Sequence, residues 1–212
     1  MAGIQDFEEF CDDFNGTVAA LPTSADPATA WLIDDTSSAG APTYTKGTST
    51  AVLTLASTSE VENVCLHFGD ALDFDIDSII RAEFRVKVTG CTTGTELVFG
   101  LGSARNDTAD SVTANAWFRM VGATSTTAVV VESDDGVTDN DDVATGATLA
   151  TVYKRFVIDF SGGTSNVKFY IDGVQVATAT TFDMSGYTAG VQPIVQIQKA
   201  ANTNVDAVTV DY

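Results

Sequence analysis

Short stretches of alternating apolar and polar residues recur along this chain, and no window holds the i, i+3, i+4, i+7 stripe of an amphipathic helix. The alternation is plainest over Arg81–Val88, where Ala82, Phe84, Val86 and Val88 point one way and Arg81, Glu83, Arg85 and Lys87 the other. One wet face and one buried face is the habit of an antiparallel sheet. Phe156, Ile158 and Phe160 form a second inward set, and Val167, Phe169 and Ile171 a third. The same reading predicts strands over Ala30–Ile33, Ala51–Ala56, Asn63–Phe68, Ile80–Val88, Glu96–Leu101 and Ala116–Val121. It continues over Ala128–Glu132, Tyr153–Phe160, Val167–Ile171, Val174–Ala179, Val191–Gln198 and Val205–Tyr212, with a short strand around Phe10–Phe14.

Between two of these strands stands Asp172-Gly173. Both central positions of a type I′ turn need positive φ, which Asp tolerates and Gly prefers. With the looser turn Ser161-Gly162-Gly163, this predicts a meander from Tyr153 to Ala179. Three Gly-, Ser-, Thr- and Asp-rich stretches, Thr36–Thr50, Ser103–Asn115 and Ser133–Gly146, read as loops. The chain has 30 Thr and 24 Val against 9 Leu, which favours pleated surfaces over helix cores. About a dozen short strands in 212 residues predict one all-β domain over 1–212, a two-sheet antiparallel sandwich or jelly roll.

Charge narrows the partners. Ten Lys and Arg stand against 29 acids, a net charge of −19, with 22 Asp and 7 Glu. Phosphate neutralisation needs clustered cations, so no nucleic acid is expected as a partner. An anionic bilayer would repel the chain, and no apolar run reaches 18 residues, so no membrane contact is expected either. Cys11, Cys65 and Cys91 are an odd number without CxxC spacing, which predicts buried free thiols in a reducing compartment. The opening residues lack the basic and apolar regions of a signal peptide, so an unprocessed Met1 is expected.

The stretch Tyr153–Ala179 carries Val167, Phe169, Tyr170, Ile171, Asp172, Gly173 and Val176 in the order of a strand, a turn and a returning strand. It resembles a signature hairpin of the concanavalin A-like lectin/glucanase superfamily, which includes laminin-G-like modules. Val205–Tyr212 resembles the last strand of such domains, and Asp12-Asp13-Phe14-Asn15-Gly16 their first. The resemblance implies two large antiparallel sheets face to face, one concave and one convex. It says little about activity, because the fold hosts lectins, hydrolases, lyases and virion proteins.

Catalytic sets are incomplete. Glycoside hydrolysis needs two carboxylates flanking the bond. In the glucanase branch these stand as E-x-D-x-x-E; the nearest match, Glu132-Ser133-Asp134-Asp135-Gly136-Val137, lacks the second Glu. Glu60-Val61-Glu62 has the wrong spacing. Gln196-Ile197-Gln198 resembles the Gln-Ile-His strand of alginate lyases, with Gln198 where the His would stand. The single histidine, His67, alternates with Val64, Leu66 and Phe68 and reads as solvated. No catalytic residue, cofactor ligand or metal ligand is therefore assigned. Asp134, Asp135, Asp139, Asp141 and Asp142 could in principle hold Ca²⁺, but the EF-hand order fails and a solvated acidic loop is the expectation. Asp70–Asp77 reads as a second solvated edge or turn.

Glycan binding needs an aromatic platform with polar groups, for which Trp31, Trp117, Tyr44, Tyr153, Tyr170 and Tyr187 are candidates. Trp117 shares its face with Arg119, and the pattern leaves open whether that face is concave or at a sheet edge. Ile4, Phe7 and Phe10 suggest that residues 1–10 form an arm docking on a partner, or simply begin the first strand. In composition the whole chain resembles an accessory structural protein of a tailed bacteriophage. The leading expectation is a non-enzymatic capsid decoration protein in the virion, made in the host cytoplasm. It would contact the major capsid protein or other virion proteins, and a homo-oligomer is a reasonable state. The alternative is a carbohydrate-binding module, on a phage tail or free, that recognises cell-surface glycans. A degenerate glycanase is the third reading.

Overall fold

A computed structural model describes residues 10–12, 14, 31–47, 49–72 and 74–212. Among the described residues fifteen strands form two antiparallel sheets, and the only helices are three single 3₁₀ turns. The strands are β1 (Leu32–Asp35), β2 (Thr43–Gly47), β3 (Thr50–Thr54), β4 (Glu60–His67), β5 (Phe74–Asp75), β6 (Arg81–Val88), β7 (Thr95–Gly102) and β8 (Asn115–Val121). There follow β9 (Ala128–Asp134), β10 (Asp139–Thr148), β11 (Lys154–Asp159), β12 (Lys168–Ile171), β13 (Val174–Val176), β14 (Gly190–Asn202) and β15 (Ala207–Val210).

The larger sheet runs β1-β4-β14-β7-β8-β9-β10, with β5 also paired to β14. The smaller runs β13-β12-β11-β6-β15-β3-β2. One core lies between them. Phe99, Phe118, Phe156 and Phe169 meet there in stacked and edge-to-face pairs with centroids 4.7 to 5.5 Å apart, the geometry that aromatic quadrupoles favour. Alternation puts Phe84, Val86 and Val88 of β6 inside, as the sequence predicts. The meander is present as β11-β12-β13, and Asp172 and Gly173 both take positive φ, 50° and 81°.

Several expectations need correction. Thr36–Thr50 contains β2, and Ser133–Gly146 is the β9-β10 hairpin with its turn, not an open loop. Phe10 to Asp12 and Phe14 form no strand. Instead Phe10 packs edge-on to Phe68 at 5.1 Å and Phe14 lies against Trp31 at 5.7 Å, so both rings dock on this domain. The rest of the suggested arm, residues 1–9, lies outside the described residues. Cys65 and Cys91 are buried, whereas Cys11 is exposed.

Candidate functional site

Period-two alternation fixes what the larger sheet presents on its outer side. Opposite the core-facing Val64, Leu97, Phe118, Val131 and Ile197 lie Asn63, Cys65 and His67 of β4, Glu96 and Val98 of β7, Trp117 and Arg119 of β8, Glu132 of β9, and Gln196 and Gln198 of β14. The resemblance implies that this outer side of the larger sheet is the concave face. Trp117 does not lie at a sheet edge: β8 is an inner strand, and the indole stands on this outer side beside Arg119, fully buried.

Two features bury it. Gly100 sits opposite Trp117 in the β7-β8 register, and a Cβ there would lie 2.6 Å from Trp117 Cα and Cβ. Any larger residue at position 100 would push the β8 backbone at Trp117 away from β7. Above the indole, residues 103–114 fold back over the sheet. Ala109 and Val112 join Val98 and Trp117 in a small apolar cluster separate from the main core. Asp107 O accepts from Asn63 Nδ2 at 2.7 Å and Gln196 Nε2 at 3.3 Å, and Ala109 N donates to Gln198 Oε1 at 3.2 Å. Arg105 is paired with Asp34 of β1, and its Nη1 meets Asp107 at 2.6 Å.

Arg119 organises the charge. Its Nη1 lies 2.8 Å from Glu132, 2.5 Å from Asp110 and 3.5 Å from Asp142, and its Nη2 3.5 Å from Glu96. Burial opposes the Arg119 charge, but Glu132, Asp142 and Asp110 outweigh it and hold the guanidinium protonated above its usual range. Burial pushes the Glu132 carboxyl up, and the Arg119 charge and hydrogen bond oppose that push. Glu132 also accepts from Asn115 Nδ2 at 3.1 Å and is 2% exposed.

His67, expected to be solvated, is 6% exposed, and its Nδ1 accepts from Gly69 N at 3.0 Å. Burial lowers its pKa, and nearby Asp70 only partly restores it.

The acidic residues of the β9-β10 turn separate by role. Asp135 accepts from Val137 N, Thr138 N and Gly186 N, and so builds the turn and ties it to 183–189. Asp134 accepts from Gly136 N, and Asp142 faces Arg119. Burial raises the Asp139 pKa, with repulsion from Asp141 and Asp134 adding to it. Asp70, in the other acidic stretch, accepts from Arg105 N at 2.8 Å and Gln192 Nε2 at 2.5 Å.

The other candidate aromatics lie away from this face. Trp31 is 6% exposed and donates Nε1 to Asp12. Tyr44 belongs to β2, and burial, with Asp12 nearby, pushes its hydroxyl up to about 12. Tyr153 lies under Arg85 and Lys87, 4.5 and 4.6 Å from its centroid, on the convex side. Tyr187 donates to Gly190 O.

Beside the covering segment the concave face stays open as a groove of about 460 Å³. Its walls include Asn63, Glu96, Asp107, Thr108 and Gln198. That volume lies within the range of small-molecule sites, as does a second opening of about 460 Å³ beside β12 and β13, so the lining rather than the size distinguishes the groove. Sequence reasoning singled out Gln198 but neither Asn63 nor Glu96 as site residues. Nothing local marks them; only the register of β4, β14 and β7 brings them side by side.

No known protein family and no curated protein matches the chain. Solved structures do match. The chain is similar to an endo-acting O-glycanase of the human gut microbiota, at TM-score 0.62 and 12% identity, over 94% of this chain and 95% of that one. It is similar to the carbohydrate recognition domain of Emp46p, at TM-score 0.55 and 11% identity, over 94% of each chain. A pseudo-β-1,3-glucanase of Mycobacterium tuberculosis aligns at TM-score 0.59 and 13% identity, over 94% of each chain. These likenesses fix the fold as a concanavalin A-like sandwich, shared by lectin and glycosidase domains.

Proposed function

We propose that this chain is a carbohydrate-recognition domain that binds a glycan in the concave groove without cleaving it. The observation that carries the reading is the groove itself. It is an opening on the outer side of the larger sheet, lined by Asn63, Gln198, Asp107 and Glu96, of which Glu96 and Asp107 keep exposed carboxylates. Two of the neighbours, an O-glycanase and a carbohydrate recognition domain, support a glycan more than a capsid lattice as the partner. Placement on a virion stays a separate proposal, carried by composition alone.

Binding is favoured over hydrolysis by the state of Glu132. A general acid or nucleophile must reach the glycosidic bond. Glu132 is buried beneath 103–114 and bonded to Arg119 and Asn115, so it cannot do so without breaking that network. With Trp117 covered, the groove recognises chiefly by hydrogen bonds to the carboxylates of Glu96 and Asp107, which Gln198 helps to hold in place, rather than by stacking.

The test is a glycan array probed with the full chain and with Gln198→Ala, with melting temperatures recorded for both. The expected outcome is a defined set of glycans bound by the wild type, lost or weakened at least about tenfold in the variant, with no reducing ends released. Binding that survives Gln198→Ala unchanged would move the site elsewhere, and turnover of any bound glycan would overturn the non-catalytic reading.

A further inference from the structure

We infer that the groove discriminates glycans by charge. It takes an amine-bearing sugar chain ahead of a neutral one and excludes chains bearing uronate, sialic acid or sulfate. The inference rests on the reading of the groove as a glycan site and adds the class of glycan.

Every cation near the groove is already committed. The Lys199 side chain is 0% exposed; its Nζ donates to the carbonyls of Ala56, Thr58 and Asn204 and lies 3.4 Å from Glu62. The Arg119 side chain is 7% exposed and shared among Glu96, Asp110, Glu132 and Asp142. Arg105, 18% exposed, is held between Asp34 and Asp107. Among the described residues, none of these cations keeps an uncommitted face turned to the groove. A carboxylate or sulfate entering it would lose its water and gain no counter-charge, which is costly.

The acids, in contrast, outnumber their partners and remain reachable. The Glu96 side chain is 31% exposed and that of Asp107 60%. Arg119 and Gln198 Nε2 leave Glu96 with accepting capacity, since a carboxylate has about four lone-pair sites. The neutral groups lean the same way. Gln198 spends its Nε2 on Glu96, while Asn63, 3% exposed on the groove wall, spends its Nδ2 on Asp107 O. Asn63 Oδ1 has no partner among the described residues, but it is itself buried and out of a ligand's reach. The groups a ligand can reach, the carboxylates of Glu96 and Asp107, accept and do not donate. Sugar hydroxyls satisfy such a surface, and an ammonium satisfies it better, because its hydrogen bonds to carboxylate are charge-assisted.

The experiment measures affinity for three oligosaccharides of one linkage, at about pH 5.5, where a sugar amine is charged. They are a β-1,4-glucosamine oligomer, its fully N-acetylated counterpart and a uronic acid oligomer. The full chain, Glu96→Gln and Asp107→Asn are compared at about 50 and 300 mM salt. We expect the amine form to bind about five- to tenfold more tightly than the N-acetylated form at low salt. That advantage should shrink at high salt, where the screening length falls, and in either variant, and the uronic acid form should not bind. Uronate binding as strong as that of the amine, or an amine advantage indifferent to salt and to both variants, would overturn the inference while leaving the glycan reading intact. If no oligosaccharide binds here or on the array, the glycan reading itself fails and the inference falls with it.

Discussion

At the scale of single residues, Arg119 holds the concave face together. It sits among Glu96, Asp110, Glu132 and Asp142, and Glu132 is buried with it. Removing one partner of a buried pair leaves an uncompensated charge. Arg119→Met should therefore cost about 3–5 kcal/mol in urea unfolding; a loss below about 1 kcal/mol would mean that water already screens the pair. Glu60 is a different case. It accepts from Ser38 Oγ and from the backbone N–H groups of Ser38, Ala39 and Gly40, and its pKa falls to about 2, with the Ser38 hydroxyl bond the largest cause. A carboxyl with a depressed folded pKa contributes stability that is present above its unfolded pKa and lost as pH falls through the folded one. The melting-temperature gap between wild type and Glu60→Gln should thus be full at neutral pH and close as pH falls from the ordinary carboxyl value of 4.5 toward about 2. A gap constant across that range would deny the anion its role.

At the scale of elements, what could be read from sequence depended on where a strand sits. Central strands such as β6, β7 and β14 face the core, and their alternation is clear in the residues alone. The strands the pattern missed lie at edges or are very short. β10 reads DNDDVATGAT, edges the larger sheet, and is bulged twice against β9. β2 edges the smaller sheet, and among its described side chains Tyr44 packs against the core. Charge and bulges blunt an edge against further pairing, and they also erase the period that marks a strand. The cover over the concave face was hidden for another reason. Residues 103–114 are polar and loop-like, and only Ala109 and Val112 anchor them to Trp117. The Asp172-Gly173 turn, in contrast, was legible because its chemistry is local. Gly173 has φ 81° and open space around a Cβ, so Gly173→Ala should cost only its conformational strain, about 1 kcal/mol. A Cβ on Gly122 would lie 2.0 Å from Thr92 O, so Gly122→Ala should cost at least about 3 kcal/mol or prevent folding. Equal losses in thermal unfolding would contradict this ordering.

At the scale of the whole molecule, the two outer faces differ in charge. Arg81, Arg85, Lys87, Lys154, Arg155 and Lys168, six of the ten cations, belong to β6, β11 and β12 of the smaller sheet. They interleave there with Glu83, Asp159, Asp172 and Asp211. On the outer side of the larger sheet Glu96, Asp110, Glu132 and Asp142 surround Arg119, and Asp34 and Asp107 hold Arg105. The fold was legible from the hairpin and the alternation. The groove was not, because Asn63, Glu96 and Gln198 come from three strands far apart in sequence. The central claim is that this groove holds the glycan, and amide hydrogen exchange with a bound oligosaccharide from the array tests it most directly. The account predicts slowed exchange over Glu96–Val98, Gln196–Lys199 and the segment 103–114, with β6, β11 and β12 unchanged. Protection confined to the convex strands, or none at any strand while the glycan is bound, would contradict it.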